Sequence, residues 1–167
     1  MISDAQGYVL KAGSGESRWF LDTRMTVKAG GSHTAGALTV IKWSAPVGFG
    51  PPRHVHHSED EMFYVLDGEL VVECGDQRWT VVPGDFAFLP HGVAHVFVVS
   101  RGPVHGLQLT TPAGFEAFVE EIGRIPDGPG LPEPSVPDVP QLVEAGRRHG
   151  NDIVGPPLSL DEVATRG

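Results

Sequence analysis

The sequence predicts an all-β fold, an antiparallel sandwich or barrel followed by short C-terminal helices. Three observations predict it. Seven strand-length runs rich in Val, Phe, Leu and Trp lie between residues 36 and 111. Turn chemistry separates them: Asp67-Gly68, Gly75-Asp76, Pro83-Gly84-Asp85, Pro90-His91-Gly92 and Arg101-Gly102-Pro103. No helical period runs through the same stretch, which disfavours a parallel α/β arrangement.

The expected strands, in order, are 36–43, 61–66, 69–74, 78–82, 85–89, 94–100 and 104–111. Helix is expected only afterwards. Phe115, Phe118, Val119 and Ile122 repeat at i, i+3, i+4 and i+7 behind Thr111-Pro112, and Gly123 supplies a stop. Residues 126–140 are proline-rich and predict an extended tether. Val139, Leu142 and Val143 then suggest a short amphipathic helix, with Asp138 and Gln141 spaced for capping. The reading is one barrel domain over residues 1–125, including N-terminal strands. Residues 126–167 form an extension with two readings, packing on the barrel or a partner subunit, or partial disorder.

A chain of 167 residues suits one domain with a real core. Its 12 Lys+Arg against 21 Asp+Glu give a formal charge of -9, which argues against nucleic acid and anionic membrane surfaces as partners. Cys74 is the single cysteine, so no intrachain disulfide is available, and a reducing, cytoplasmic setting is expected. The N-terminal stretch MISDAQGYVLKAG lacks the basic start and apolar core of a signal peptide, and no apolar run approaches membrane-spanning length.

Residues 54–61, HVHHSEDE, raise the question of chemistry. On an extended strand His54 and His56 project from one face and Val55 from the other. A short turn then returns Glu61 opposite the two imidazoles, with Phe63 and Val65 on its inner face. Glu59 and Asp60 read as solvated turn charges, and His57 as a loop residue or a supporting neighbour of the ligands. His95 follows a Pro-x-Gly turn and shares a face with Phe97 and Val99. Three imidazoles and one carboxylate suit a divalent transition metal with one or two open positions. His33, His105 and His149 have no comparable context, although His105 alternates into the strand 104–111. Cys74 reads as a half-buried small hydrophobe.

These residues resemble the two motifs of the cupin family. Gly48, His54, His56, Glu61 and Gly68 fit the first, and Gly84, Pro90, Gly92 and His95 fit the second. The family's final Asn is replaced by Val99, which removes one supporting hydrogen bond and no ligand. The resemblance implies a double-stranded β-helix, or jelly roll, and His54, His56, Glu61 and His95 as ligands of one metal ion among Fe, Mn, Ni, Co, Cu and Zn.

Within the family, PPRHVHHSEDEMFYVLDGEL, TTPAGFEAFVEEIG and IVGPPL resemble bacterial quercetin 2,3-dioxygenase-like proteins. That likeness implies opening of a flavonol-like, enolisable aromatic substrate by dioxygen, with Glu61 both ligand and base. Phe63, Phe97, Trp43, Phe49 and Leu107 are the candidate walls for a flat ring. Two other readings use the same site: a metal-dependent isomerase or cyclase on a polyketide-like substrate, and a non-catalytic small-molecule binder. EMFYVL and HVFVV are apolar on both faces, so something must cover the outer one. The candidates are a second subunit in a homodimer, the segment 8–28 and the helix at 114–123.

Overall fold

The computed structural model describes residues 6–165. Residues 1–5, within the stretch expected to lack signal-peptide character, lie outside the described residues. Among the described residues, nine strands form one curled antiparallel sheet: β1 (Glu16–Phe20), β2 (Thr23–Ala29), β3 (Thr39–Ala45), β4 (Pro52–His56), β5 (Asp60–Cys74), β6 (Gln77–Val81), β7 (Phe86–Leu89), β8 (His95–Thr111) and β9 (Asn151–Pro157). The helices are α1 (Gly31–Thr34), α2 (Phe115–Ile122), α3 (Val139–Arg148) and α4 (Leu160–Ala164). None of them is long and apolar enough to cross a membrane.

Two pairs of expected strands are in fact single strands. The runs 61–66 and 69–74 make up β5, and the runs 94–100 and 104–111 make up β8. The Asp67-Gly68 and Arg101-Gly102-Pro103 signals mark bends rather than reversals, and the β5–β8 register shifts between Val65 and Leu70. Gly68 has φ +82, and a Cβ there would lie 2.7 Å from Val104 Cα. Two bent backbones cross too closely at that point for any side chain.

The bends divide the sheet into two facing halves. One half runs β1, β2, β3, the end of β8, the start of β5 and β7. The other runs β9, β4, the start of β8, the end of β5 and β6. This is a jelly roll, in which two long strands serve both halves. Trp43, Phe63 and Phe97 meet in the core with ring centroids 5.2–5.6 Å apart.

The helix α2 forms where its apolar period predicts, burying Phe115, Phe118 and Val119 and ending at Gly123. The cap is Gly114, so Pro112 precedes the helix rather than opening it. The Asp138 carboxylate caps α3, accepting from Gln141 N at 3.0 Å. The strand β9 is not apparent from local sequence. It pairs with β4, opposing Ile153 to His54 and Asn151 to His56. Two prolines and a glycine in NDIVGPP hide it, and an edge position is where a strand tolerates them.

The outer face of HVFVV is covered from within the chain. Val71, Val96 and Val98 pack under Leu158, with Val163 beside them. The cover comes from the C-terminal residues, which were not among the three candidates. The outer face of EMFYVL stays open. Tyr64, Phe86 and Phe88 are 39%, 58% and 52% exposed, and Leu107 and Leu109 lie beside them as partners of Tyr64 and Met62.

Candidate metal centre

The strands β4 and β5 do not pair with each other, so His56 and Glu61 do not face each other across a hairpin. The residues between them carry the chain from one half of the barrel to the other. His54, His56 and His95 project from the β9–β4–β8 half, where His54 and His95 are direct partners. Glu61 faces them from the opposite half, paired with Thr110 and Leu89. One ligand-capable atom from each of the four side chains lies within 4.8 Å of all the others.

Each imidazole is held by its far nitrogen. His54 Nδ1 lies 2.7 Å from Pro52 O, His95 Nδ1 lies 3.0 Å from Val93 O, and His56 Nδ1 lies 3.2 Å from Glu59 Oε2. Those partners are acceptors, so the Nδ1 atoms donate and each neutral ring turns an Nε2 lone pair inward. His56 Nε2, His95 Nε2 and Glu61 Oε2 are buried without a hydrogen-bond partner. Glu61 Oε2 lies 3.1 Å from His95 Nε2 and 3.9 Å from His56 Nε2. Buried lone pairs aimed at one another are costly unless a cation stands between them. Ligands about 2.1 Å from one transition metal lie about 3–4 Å apart, as Glu61 Oε2 does from His95 Nε2 and His56 Nε2.

The charge states of His54 and Glu61 agree with that reading, whereas His56 leans the other way. Burial and the neighbouring His95 push the His54 pKa down to about 4, so its ring is neutral near pH 7. Burial acts to raise Glu61, but the close approach of His95 and the three imidazoles outweigh it and hold the pKa at about 2. Burial opposes protonation of His56, while the bond to Glu59 and the charge of Glu61 carry its pKa upward.

Two supporting residues were not found in the sequence reading. Glu59, expected in solvent, is buried against His56, and a Cβ on Gly114 would lie 2.7 Å from its Oε1. The α2 N-terminus closes over the turn and takes it out of water. Gln108 donates from Nε2 to Glu61 Oε1. Alternation from Val104 gives the signal for Gln108, since both face inward. Asn151, opposite His56, is also buried, and its amide atoms have no partner.

The other expectations divide. Asp60 is partly shielded and accepts from His91 N and Nδ1, which hold its carboxyl below the usual range. His57 lies outside the cluster, its Nε2 2.9 Å from Asp152. His33 sits in α1 beside Tyr8, and His149 bonds Glu121. His105 faces outward between buried Val104 and Gly106. Cys74 is buried rather than half-buried, and burial pushes its thiol up.

A cavity of about 40 Å³ touches His54, Glu61 and Gln108, with Trp43, Phe49 and Phe97 among its walls. Phe63 lies behind Trp43 and Phe97 instead of on the wall. Leu107 does not belong to it. Gln108 takes the inward position, and strand alternation sends Leu107 to the outer face.

Residues 42–108 match the Cupin domain family. The jelly-roll topology and both motifs agree with that match, so residues 42–108 carry a cupin domain. Over 90 residues it is 33% identical to a quercetin 2,3-dioxygenase of Bacillus subtilis (strain 168), covering 54% of this chain and 27% of that protein. In fold it is similar to KdgF from Halomonas sp., with TM-score 0.58 and 18% identity over 66% of this chain and 99% of that one. It is also similar to the polyketide cyclase RemF from Streptomyces resistomycificus, with TM-score 0.54 and 20% identity over 64% and 80%. Likenesses at those identities speak for the fold alone.

Proposed function

We propose that this cupin is a metal-dependent dioxygenase that opens a flavonol-like, enolisable aromatic substrate. The observation that carries the reading is the convergence of unpartnered His56 Nε2, His95 Nε2 and Glu61 Oε2 beside an aromatic wall. The likeness over 90 residues to a quercetin 2,3-dioxygenase supports the substrate class. Among the described residues the cavity walls carry no Lys or Arg, so a carboxylate or phosphate substrate would have only the metal as a cationic partner.

His54, His56, His95 and Glu61 would hold one divalent transition metal ion. Such an ion, when bound, acidifies an enol hydroxyl and brings dioxygen beside it. Glu61 is ionised at neutral pH and so stands in the proton-accepting form. With its pKa near 2 it is a weak base, so the acidity of the bound enol must drive the transfer. Gln108 anchors Oε1 and leaves Oε2 facing the cluster. Trp43, Phe49 and Phe97 keep water from the reacting edge.

The test is oxygen uptake with a panel of flavonols by protein loaded in parallel with Fe, Mn, Co, Ni and Cu. Uptake is expected with at least one metal. Loss of a general base typically costs about 10²–10⁴-fold, so Glu61→Gln should fall at least a hundredfold. No uptake with any metal, or full rate in Glu61→Gln, would defeat the reading. Turnover without uptake would assign the isomerase or cyclase chemistry instead.

We also propose that a second copy of the chain covers the open outer face of β5 and β7. The strand β7 is an edge, pairing only with β5 among the described residues. Met62, Tyr64, Phe86 and Phe88 carry no charge, so self-association there avoids the repulsion expected between chains of formal charge -9. Segment 8–28 and α2 do not cover this face: β2 pairs on β3 at the opposite edge, and α2 packs on β1, β3 and α3.

A further inference from the structure

A second cavity lies next to the small one at the cluster. It measures about 470 Å³, and its walls include Pro52, Pro137, Val139, Ile153 and Pro157. The two cavities share two side chains, Leu21 and Phe49. Small-molecule sites typically occupy about 300–1,000 Å³, so the outer cavity suffices for a multi-ring ligand. The inner one does not. At about 40 Å³ it has room for little more than a water molecule, whose share of liquid volume is about 30 Å³.

The C-terminal extension builds much of the outer cavity. Its proline-rich segment supplies Ser135, Pro137 and Val139, and β9 supplies Ile153, Gly155, Pro156 and Pro157. Backbone carbonyls tie the start of that segment to the barrel: Trp19 Nε1 donates to Gly130 O at 2.9 Å and Arg24 Nη1 to Gly128 O at 2.6 Å. The shared wall is unusual too. Leu21 sits in the β1–β2 turn at φ +52, a conformation that costs a non-glycine residue energy. Phe49 lies on the loop before β4, half-buried, its ring centroid 6.3 Å from that of Phe97.

The chemistry of the lining restricts the occupant. Among the described residues, no Lys, Arg or His lines the outer cavity, and its single ionisable group, Asp22, accepts from Ser135 N. An anion finds no partner there and meets a carboxylate. A neutral, flat and mostly apolar molecule is matched. We infer that the outer cavity docks the ring system of an uncharged polyphenol, and that Leu21 and Phe49 are the gate its enol edge must pass to reach the cluster. The inference rests on the dioxygenase reading for the enol. The docking itself needs no metal.

Binding of quercetin to metal-depleted protein, followed by tryptophan fluorescence, tests the site without turnover. Saturable binding at micromolar concentration is expected. Val139→Trp should weaken it at least tenfold by filling the cavity, and Val139→Ala should retain it within threefold. Val139 is half exposed, so both variants should keep the wild-type melting curve, which is checked first. As a charge control, 2-naphthol should bind at least tenfold more tightly than 2-naphthoate. For the gate, Phe49→Ala should speed removal of bound metal by 1,10-phenanthroline at least tenfold. Unaltered quercetin affinity in folded Val139→Trp, or preference for the naphthoate, would overturn the docking site. An unchanged removal rate would overturn the gate. Intact binding without oxygen uptake would defeat the dioxygenase reading and keep the site; uptake without this binding would do the reverse.

Discussion

Glu59 Oε2 lies 3.2 Å from His56 Nδ1, and both side chains are buried, although Glu59 sits in a run of charges that reads as solvated. A carboxylate behind a ligating imidazole fixes its tautomer and orientation, and removing one typically costs about 10–100-fold in metal affinity. Glu59→Gln should therefore bind divalent metal at least tenfold more weakly with an unchanged stoichiometry. Competition against a chromogenic chelator measures this. Wild-type affinity would show that the pair is only structural.

Gln108 is expected to act through Glu61. Removing its donor leaves a buried carboxylate oxygen unsatisfied, at a cost of about 1–3 kcal/mol. Gln108→Leu should lower the melting temperature of metal-depleted protein by about 2–10 °C. Gln108→Glu should be worse than leucine near neutral pH, because it sets a second carboxylate against the first. A melting curve unchanged in both variants would remove Gln108 from the site.

Acid should destabilise the metal-depleted protein through His54. Its folded pKa of about 4 lies below the ordinary 6.5, so the unfolded chain binds more protons between those values. That contribution is complete above 6.5 and disappears as pH falls toward 4. Glu61 adds a second loss between 4.5 and about 2. His56 has the opposite sign: its raised pKa stabilises below 6.5 and ceases to do so as pH rises. Melting temperature should accordingly peak near neutrality and drop by about 5 °C or more by pH 4. In His54→Gln the acid limb should flatten between pH 6.5 and 4, and an equally steep limb would contradict the assignment.

Phe88→Glu should separate the proposed dimer. The residue is half exposed on an edge strand, so the charge is solvated in the monomer and buried in a twofold contact. Light scattering should give twice 17.8 kDa for the wild type and 17.8 kDa for the variant. A wild-type monomer at micromolar concentration would end the proposal.

The sequence by itself determined the fold class and the four converging side chains. Strand alternation and turn chemistry are local, and the spacing of His54 and His56 needs only an extended backbone to put both rings on one face. The match of His95 and Glu61 to a family pattern carried the rest of the set. The helix α2 was also legible, because Phe115, Phe118 and Val119 keep a period that only helix satisfies.

The tertiary structure decided what depends on contacts distant in sequence. Gly68 marks a bend only because Val104 passes 2.7 Å from where its Cβ would be. Glu59 leaves water only because the N-terminus of α2, more than fifty residues later, closes over the turn. Gln108 and Leu107 are neighbours on one strand, and the register of β8 against β3 and β5 assigns one to the cluster and the other to the open face. The strand β9 forms along the β4 edge, whose free backbone groups it pairs, despite the low strand propensity of NDIVGPP. Local sequence carries periodicity and conformational preference, whereas burial and register are properties of the assembled barrel.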